Sequence, residues 1–235
     1  MQKIQDDILS YRKMCDQEGV QTLQRGMNYR LNYFGSVILM SQRKNSPYRD
    51  KIYDDGVTIE YEGHDVSRAG YGHVPKRENQ PDRLPSGKLT QNGKFKKAVD
   101  DSKSGASKPE LVKVYEKIMP GVWSLKGVFE LIDYRVVDDG NRKVFRFIFK
   151  LSENQGVERV SGIAEVNLPY TRVIPSDVKK EAWKRDGGKC VLFGSQKNLH
   201  FDHDLPFSRG GTSLSAKNVR LLCMQHNLTK SAKIE

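Results

Sequence analysis

The stretch Leu199-His200-Phe201-Asp202-His203, followed by Asn218 and then by Cys223-x-x-His226-Asn227-x-x-Lys230, decides how the C-terminal part of this 235-residue chain is read. It brings carboxylate, imidazole, amide and thiol groups into one short span. Upstream, Ser176 can cap a helix from Asp177 to about Asp186, which Gly187-Gly188 would stop. From Arg172 onward, 12 Lys/Arg stand against 6 Asp/Glu, a much denser positive balance than the 28 against 23 of the rest. The whole chain carries a formal charge of +11 and a pI near 9.5. Such a balance points to a polyanion, through attraction to phosphates and release of counterions. A solvated basic surface accounts for the charge alone equally well.

The 37% hydrophobic content supplies a real core, and the length suits one or two domains. Cys15, Cys190 and Cys223 are too few and too scattered for a disulfide framework, which fits a reducing cytosol. No apolar run approaches the roughly 20 residues of a membrane span. The start, Met1-Gln2-Lys3-Ile4-Gln5-Asp6-Asp7, carries acids where a targeting peptide would not. The expectation is a cytoplasmic protein with no membrane partner.

Working outward from the C-terminal stretch, Ile4, Ile8, Tyr11 and Cys15 recur about one turn apart and predict a helix over 2–17 ending near Gly19. Its apolar face would pack on the first domain, or make a dimer contact. Ser36–Met40 and Val57–Tyr61 read as strands, the second after the turn signal Asp54-Asp55-Gly56. Residues 64–91 read as a long loop, Asn92–Asp101 as a helix, and Ser102–Ser107 as a polar break. Three more strands follow at Leu111–Glu116, Gly127–Tyr134 and Lys143–Leu151, with a hairpin turn at Asp139-Gly140. Residues 152–175 read as a connector. The expected architecture is α+β: a β-rich N-terminal domain over 1–155 with flanking helices, a connector over 156–171, and a small domain over 172–235.

The C-terminal part resembles the HNH, or ββα-metal, nuclease finger. Six features arrive in order: a preceding helix, Cys190, Asp202-His203, Pro206 with Ser208-Arg209-Gly210-Gly211, Asn218, and the run from Cys223 to Lys230. The resemblance implies that His203 is the general base, a neutral imidazole able to take a proton from water. It implies Asp202 and Asn227 as ligands of Mg²⁺ or Mn²⁺, which keep waters and bind phosphate. Asn218 would fix the loop carrying His203, and Arg209 and Lys230 would contact phosphate. Relatives often hold a structural Zn²⁺ on Cys-x-x-Cys pairs, but here Phe193 stands where the second cysteine of the first pair would be. Cys190, Cys223 and His226 remain, one short of a closed tetrahedron. Either water or a side chain such as His200 completes the shell, or zinc is absent and Phe193 packs into a small apolar core. The expectation is a finger without tightly bound zinc.

A second resemblance, over roughly 33–151, is to SRA (YDG) domains, readers of modified cytosine. It rests on Gly35–Met40, Tyr48-x-Asp50, Asp54-Asp55-Gly56, Tyr61-Glu62-Gly63, Leu89-Thr90-Gln91-Asn92-Gly93, Leu111–Glu116 and Gly127-Val128-Phe129 leading into Val144–Phe147. The YDG tripeptide itself is replaced by Leu125-Lys126-Gly127. Such domains extrude a nucleotide and stack the base between aromatic rings. The resemblance implies Tyr48 and Tyr61 as the rings and Asp50 as the group accepting from the cytosine amino group. Alternatively, Tyr61 is an ordinary strand aromatic and Asp50 a loop carboxylate. His64, Arg68 and the loop to Arg83 would grip backbone or plug the gap.

Together these resemblances imply a McrA-like, modification-dependent endonuclease acting on double-stranded DNA that carries 5-methyl- or 5-hydroxymethylcytosine. One finger per chain implies a homodimer for a double-strand break. The alternatives are a nuclease with ordinary sequence or structure preference, a non-catalytic DNA-binding protein with a decayed finger, and an RNA binder.

Overall fold

A computed structural model describes residues 8–33, 35–43, 46–66, 74–153, 174–205, 212–213 and 215–232, with the backbone alone for 230–232. The fold is mixed α+β and is dominated by one β-rich sheet. Its strands run in the order β2 (Met27–Asn32), β3 (Gly35–Met40), β6 (Glu110–Met119), β7 (Val122–Asp138), β8 (Lys143–Leu151), β5 (Thr58–Glu62) and β4 (Lys51–Ile52). A short β1 (Ile8–Ser10) adds onto β7. All neighbours are antiparallel except β3 and β6, which pair in parallel from Ser36↔Val112 to Met40↔Glu116. A parallel pair needs a long crossover, and here it contains α2 (Gln91–Lys103).

Alternation along β8 explains the core. Phe145, Phe147 and Phe149 share one face and meet Phe95, Ala98 and Val99, which lie at helical spacing on α2. Each buried phenylalanine contributes about 1.5–3 kcal/mol relative to exposure. Thr90 caps α2 by accepting from the Gly93 amide at 3.1 Å. Gly93 itself is dictated by close approach, because a Cβ there would lie 2.0 Å from the Asp82 carbonyl oxygen. The Leu89–Gly93 run therefore reads as a helix cap docked on a loop.

Leu125-Lys126-Gly127 forms a bulge. Val114 opposes Gly127 and Tyr115 opposes Leu125, so Lys126 is the extra residue, and Gly127 takes φ +125°, where a side chain is strained. Lys126 is fully buried there, its Nζ 3.3 Å from Glu116 Oε2.

The C-terminal unit contains α3 (Ser176–Arg185), β9 (Leu199–His203), a 3-10 turn (Ala216–Asn218), β10 (Val219–Cys223) and α4 (Met224–Ala232). β9 and β10 pair antiparallel from Val219↔His203 to Cys223↔Leu199, and the hairpin with α4 makes a ββα arrangement. Its small core gathers Ile174, Val178, Ala182, Phe201, Leu221 and Leu222, with Ile8 and Trp183 packed against it.

Three expectations change. Within the described residues the N-terminal helix shortens to α1 (Tyr11–Gln17), because Ser10 caps it at Lys13 while Ile8 and Leu9 pair with β7. Ser176 is the first residue of α3 and not its cap, a place taken by Pro175 without a side-chain hydrogen bond. The first domain also has a strand, β2, that the reading from Tyr33 onward leaves out. The connector over 156–171, Arg68, and the run from Pro206 to Gly211 with Arg209 lie outside the described residues. Among the described residues no helix is long and apolar enough to cross a membrane.

Candidate functional sites

At the end of β9, Asp202 is buried and His203 is half-buried. The Met224 amide donates to the Asn198 carbonyl at 2.9 Å, so α4 starts at the Leu199 end of the hairpin and packs on β9. Asn227, one turn into α4, is 2% exposed. Asn218 ties the chain that follows His203. Its Oδ1 accepts from the Leu205 amide at 2.7 Å, and its Nδ2 donates to the carbonyls of Leu205 at 3.1 Å and Thr212 at 3.0 Å. Ser213, buried at 2% exposure, lies with Oγ 2.8 Å from His203 Nε2. The sequence reading passed over Ser213; its only signal is a hydroxyl pair, Thr212-Ser213, just ahead of Asn218. From α3, Arg185 donates to the carbonyls of Ala216 and Val219, and Asp186 accepts from the Leu221 amide at 2.9 Å.

Cys190, Cys223 and His226 converge, with all their ligand atoms within 4.8 Å of one another. His226 Nδ1 is 3.4 Å from the Cys190 sulfur and 3.2 Å from that of Cys223. Burial by itself would raise the Cys190 thiol; amides of Cys223, Leu192 and Phe193, with His226, outweigh it and bring it down to about 7. His200 is not part of this group. Phe193 does not pack into a core either: it is 78% exposed, its ring 6.0 Å from that of His226. Three soft donors fit three corners of a zinc tetrahedron. Asp202 and Asn227 offer one anionic and one neutral hard oxygen, a set suited to Mg²⁺ or Mn²⁺. Lys230 lies in α4, in the part where only backbone is described.

In the sheet, Asp50 is held between two strands. Its Oδ2 accepts from the Ser41 amide at 3.0 Å and its Oδ1 from the Glu62 amide at 3.2 Å. Burial pushes its carboxyl up to about 7, against the pull of those two amides. It lines a concave surface of about 450 Å³ shared with Arg49, Lys51, Glu60, Val137, Asp138, Asp139 and Arg146. Tyr48 is half-buried, with Lys76 Nζ 4.1 Å from its ring centre and His64 nearly parallel at 6.5 Å. Burial, then the charge of Asp65, pushes the Tyr48 hydroxyl up to about 12. His64 is driven the other way, to about 4, by burial and then by Arg25.

Tyr61 departs from the role of a stacking ring. It is 2% exposed within the main core, edge-on to Phe149 at 6.4 Å, and burial raises its hydroxyl. Arg142 and Gln80, which the motif reading did not single out, complete the region together with Asn92, which it did. Arg142 reaches Asp65 at 2.7 Å and Glu62 at 3.4 Å, and Gln80 donates to the Gly63 carbonyl at 2.7 Å and to Asp65 at 3.0 Å. The Asn92 side chain pins the His64 backbone, its Oδ1 accepting from the His64 amide and its Nδ2 donating to the His64 carbonyl, both at 2.8 Å.

No family model matches the chain, and no curated protein matches it. Among solved structures it is similar to the SRA domain of SUVH5 in complex with hemi-methylated CG DNA, at TM-score 0.42 and 18% identity over 69% of this chain and 92% of that one. It is also similar to SUVH5 SRA bound to fully hydroxymethylated CG DNA, at TM-score 0.41 and 19% identity over 71% and 94%. A third is Arabidopsis thaliana SUVH6 in complex with SAM, at TM-score 0.39 and 16% identity over 74% and 28%.

The structure thus gathers Tyr48, Asp50 and Tyr61 around β5, with Tyr61 turned into the core. It gathers Asp202, His203, Asn218 and Asn227 in the ββα unit, and Cys190, Cys223 and His226 beside them.

Proposed function

We propose that this protein is an endonuclease that hydrolyses phosphodiester bonds in double-stranded DNA and takes its direction from a modified cytosine. The observation that carries this reading is the ββα unit, in which Asn218 straps the chain after His203 while Ser213 engages the ring through Nε2. A held imidazole is what general-base catalysis requires, and such a base contributes typically about 10²–10⁴-fold. The imidazole of His203, held by Ser213, is the group proposed to take the proton from water. Asp202 and Asn227 would hold Mg²⁺ or Mn²⁺. When bound, that ion would stabilise negative charge on the scissile phosphate and the leaving oxygen. Arg209 and Lys230 are proposed phosphate contacts, supported by the basic balance of the C-terminal part. Against the expectation of a finger without tightly bound zinc, the convergence of Cys190, Cys223 and His226 supports a structural Zn²⁺ held in three of its four positions.

On the sheet side, Asp50 is the proposed edge reader and Tyr48 the proposed ring. An ionised Asp50 accepts from a cytosine amino group, while a protonated one can donate to a ring nitrogen; a carboxyl titrating near neutrality can do either. A second reading, a nuclease indifferent to base modification, is favoured by the enclosure of Tyr61, which leaves Tyr48 without its proposed partner ring. Digestion of one duplex in unmodified, 5-methylcytosine and 5-hydroxymethylcytosine versions separates the two. Preferential cutting of a modified duplex supports the first reading, and equal cutting of all three the second. With one such unit per chain, a double-strand break calls for a homodimer. Light scattering on the DNA complex checks this, and a monomeric mass would count against it.

A further inference from the structure

The reading carboxylate and the C-terminal unit hang on consecutive residues. Asp50 accepts from the Ser41 amide at 3.0 Å, and the next residue, Gln42, accepts from the Ser176 hydroxyl at 2.7 Å, the first residue of α3. Glu116, the last β6 partner of the parallel pairing with β3, is fully buried close by. Below this lies a buried ionic node. Lys126, bulged out of β7, reaches Glu116 at 3.3 Å and the Ile174 carbonyl at 3.5 Å. Lys179 of α3 is fully buried, its Nζ 3.1 Å from Ser124 Oγ on β7 and 5.8 Å from the ring centre of Phe201 on β9. A single side chain therefore touches both the sheet and the nuclease hairpin. Around the same seam, Lys13 reaches Asn198 at 3.3 Å and Ile8 packs on the C-terminal core.

A buried ion cluster is a poor source of stability compared with apolar packing, but a shift that separates its charges leaves one unpaired away from water, which is strongly destabilising. An interface wanted merely for adhesion would be filled with leucine. The seam here has at its buried centre the carboxylate of Glu116, the ammonium groups of Lys126 and Lys179, and the Ser124 hydroxyl beside Lys179.

We propose that Gln42 and Lys179 are positioning residues that lock the C-terminal unit to the reading sheet, so that the cut falls at one fixed offset from the base that is read. This rests on the reading of the chain as a base-directed nuclease. The connector between the two parts does not set the offset; the seam does.

The test begins with spin labels in the full chain at Val136→Cys on the sheet and Leu228→Cys on α4, both about half exposed, while the native cysteines are buried. Pulsed dipolar measurement should give one narrow distance in the parent, broadened at least about twofold by Gln42→Met with Lys179→Met, and kept narrow by Ser176→Thr. Gln42→Met alone, at a half-buried site, serves if the double variant does not fold. Cleavage of a duplex with one modified cytosine should then give one dominant cut phosphate per strand for the parent and several for the broadened variant. A broad distance in the parent, an unchanged distance in the variants, or scattered cutting by a narrow parent would each overturn the proposal. A narrow parent that cuts no DNA would instead sink the nuclease reading, and the offset with it.

Discussion

Where β8 presents Phe145, Phe147 and Phe149 to α2, the chain around β9 and β10 presents Asn218, Arg185 and Asp186 to its own backbone. The sheet is held by aromatic packing drawn from strands far apart in sequence. The C-terminal unit has a smaller core, and polar side chains hold its loops. The difference bears on function: a packed sheet can carry a pocket at its edge without yielding, while a strapped loop can place one imidazole. It also bears on specificity. Polar ties fix geometry at little net energy, because each hydrogen bond replaces one to water.

The largest effect expected from this contrast is in the sheet. Phe147→Ala removes a fully buried ring from the main core and should cost about 3–5 kcal/mol in urea unfolding. A loss below that of the next variant would break the contrast. Asn218→Ala removes three hydrogen bonds to exposed backbone groups of Leu205 and Thr212, where water can take its place, and should cost about 1–2 kcal/mol. Hydrogen exchange sharpens this: amides near Leu205 and Thr212 should speed up while those of β8 do not, and a uniform change would contradict local strapping.

The next effect is smaller and depends on pH. The folded pKa of Asp50, about 7, lies above its ordinary value near 3.8, so its contribution to stability is full below about pH 4 and is lost as pH rises through 7. Between about pH 6 and pH 8 that loss is on the order of 1 kcal/mol. His64, depressed to about 4 from an ordinary 6.5, acts in the opposite sense, its contribution present above 6.5 and lost as pH falls. Asp50→Asn should therefore remove the alkaline decline and leave the His64 part, read from unfolding free energies at the two pH values. Parallel profiles for parent and variant would contradict the enclosed carboxyl.

The same contrast explains what the sequence makes legible. β8 is read from Lys143 to Leu151 because aromatic and β-branched residues are dense there, with Phe145, Phe147 and Phe149 at every second position, and the Asp139-Gly140 turn shows beside it. In the C-terminal pattern only Cys223 and His226 are local; it is the resemblance to the nuclease finger that implies Cys190 beside them, where the structure places it. The pocket region is not local. Nothing near Tyr61 in sequence says that Phe149 packs edge-on to it, or that Asp50 meets the amides of Ser41 and Glu62 across two loops. β2 was legible and passed over: Met27, Tyr29 and Leu31 alternate with Asn28, Arg30 and Asn32, and only its register, shifted between Asn28 and Asn32, lies beyond the sequence. Phe193 reads as a core aromatic by residue type, yet its place in a short turn leaves it exposed. The Lys126 bulge reads as a spoiled motif until Glu116 is seen across from it.

The most direct measurement compares the parent and His203→Ala on modified duplex DNA with Mg²⁺ or Mn²⁺, following cleavage and binding in parallel. The account predicts cutting by the parent and a loss of about 10²–10⁴-fold in the variant, with binding retained. Equal cleavage by the two proteins would remove His203 as the base and contradict the account.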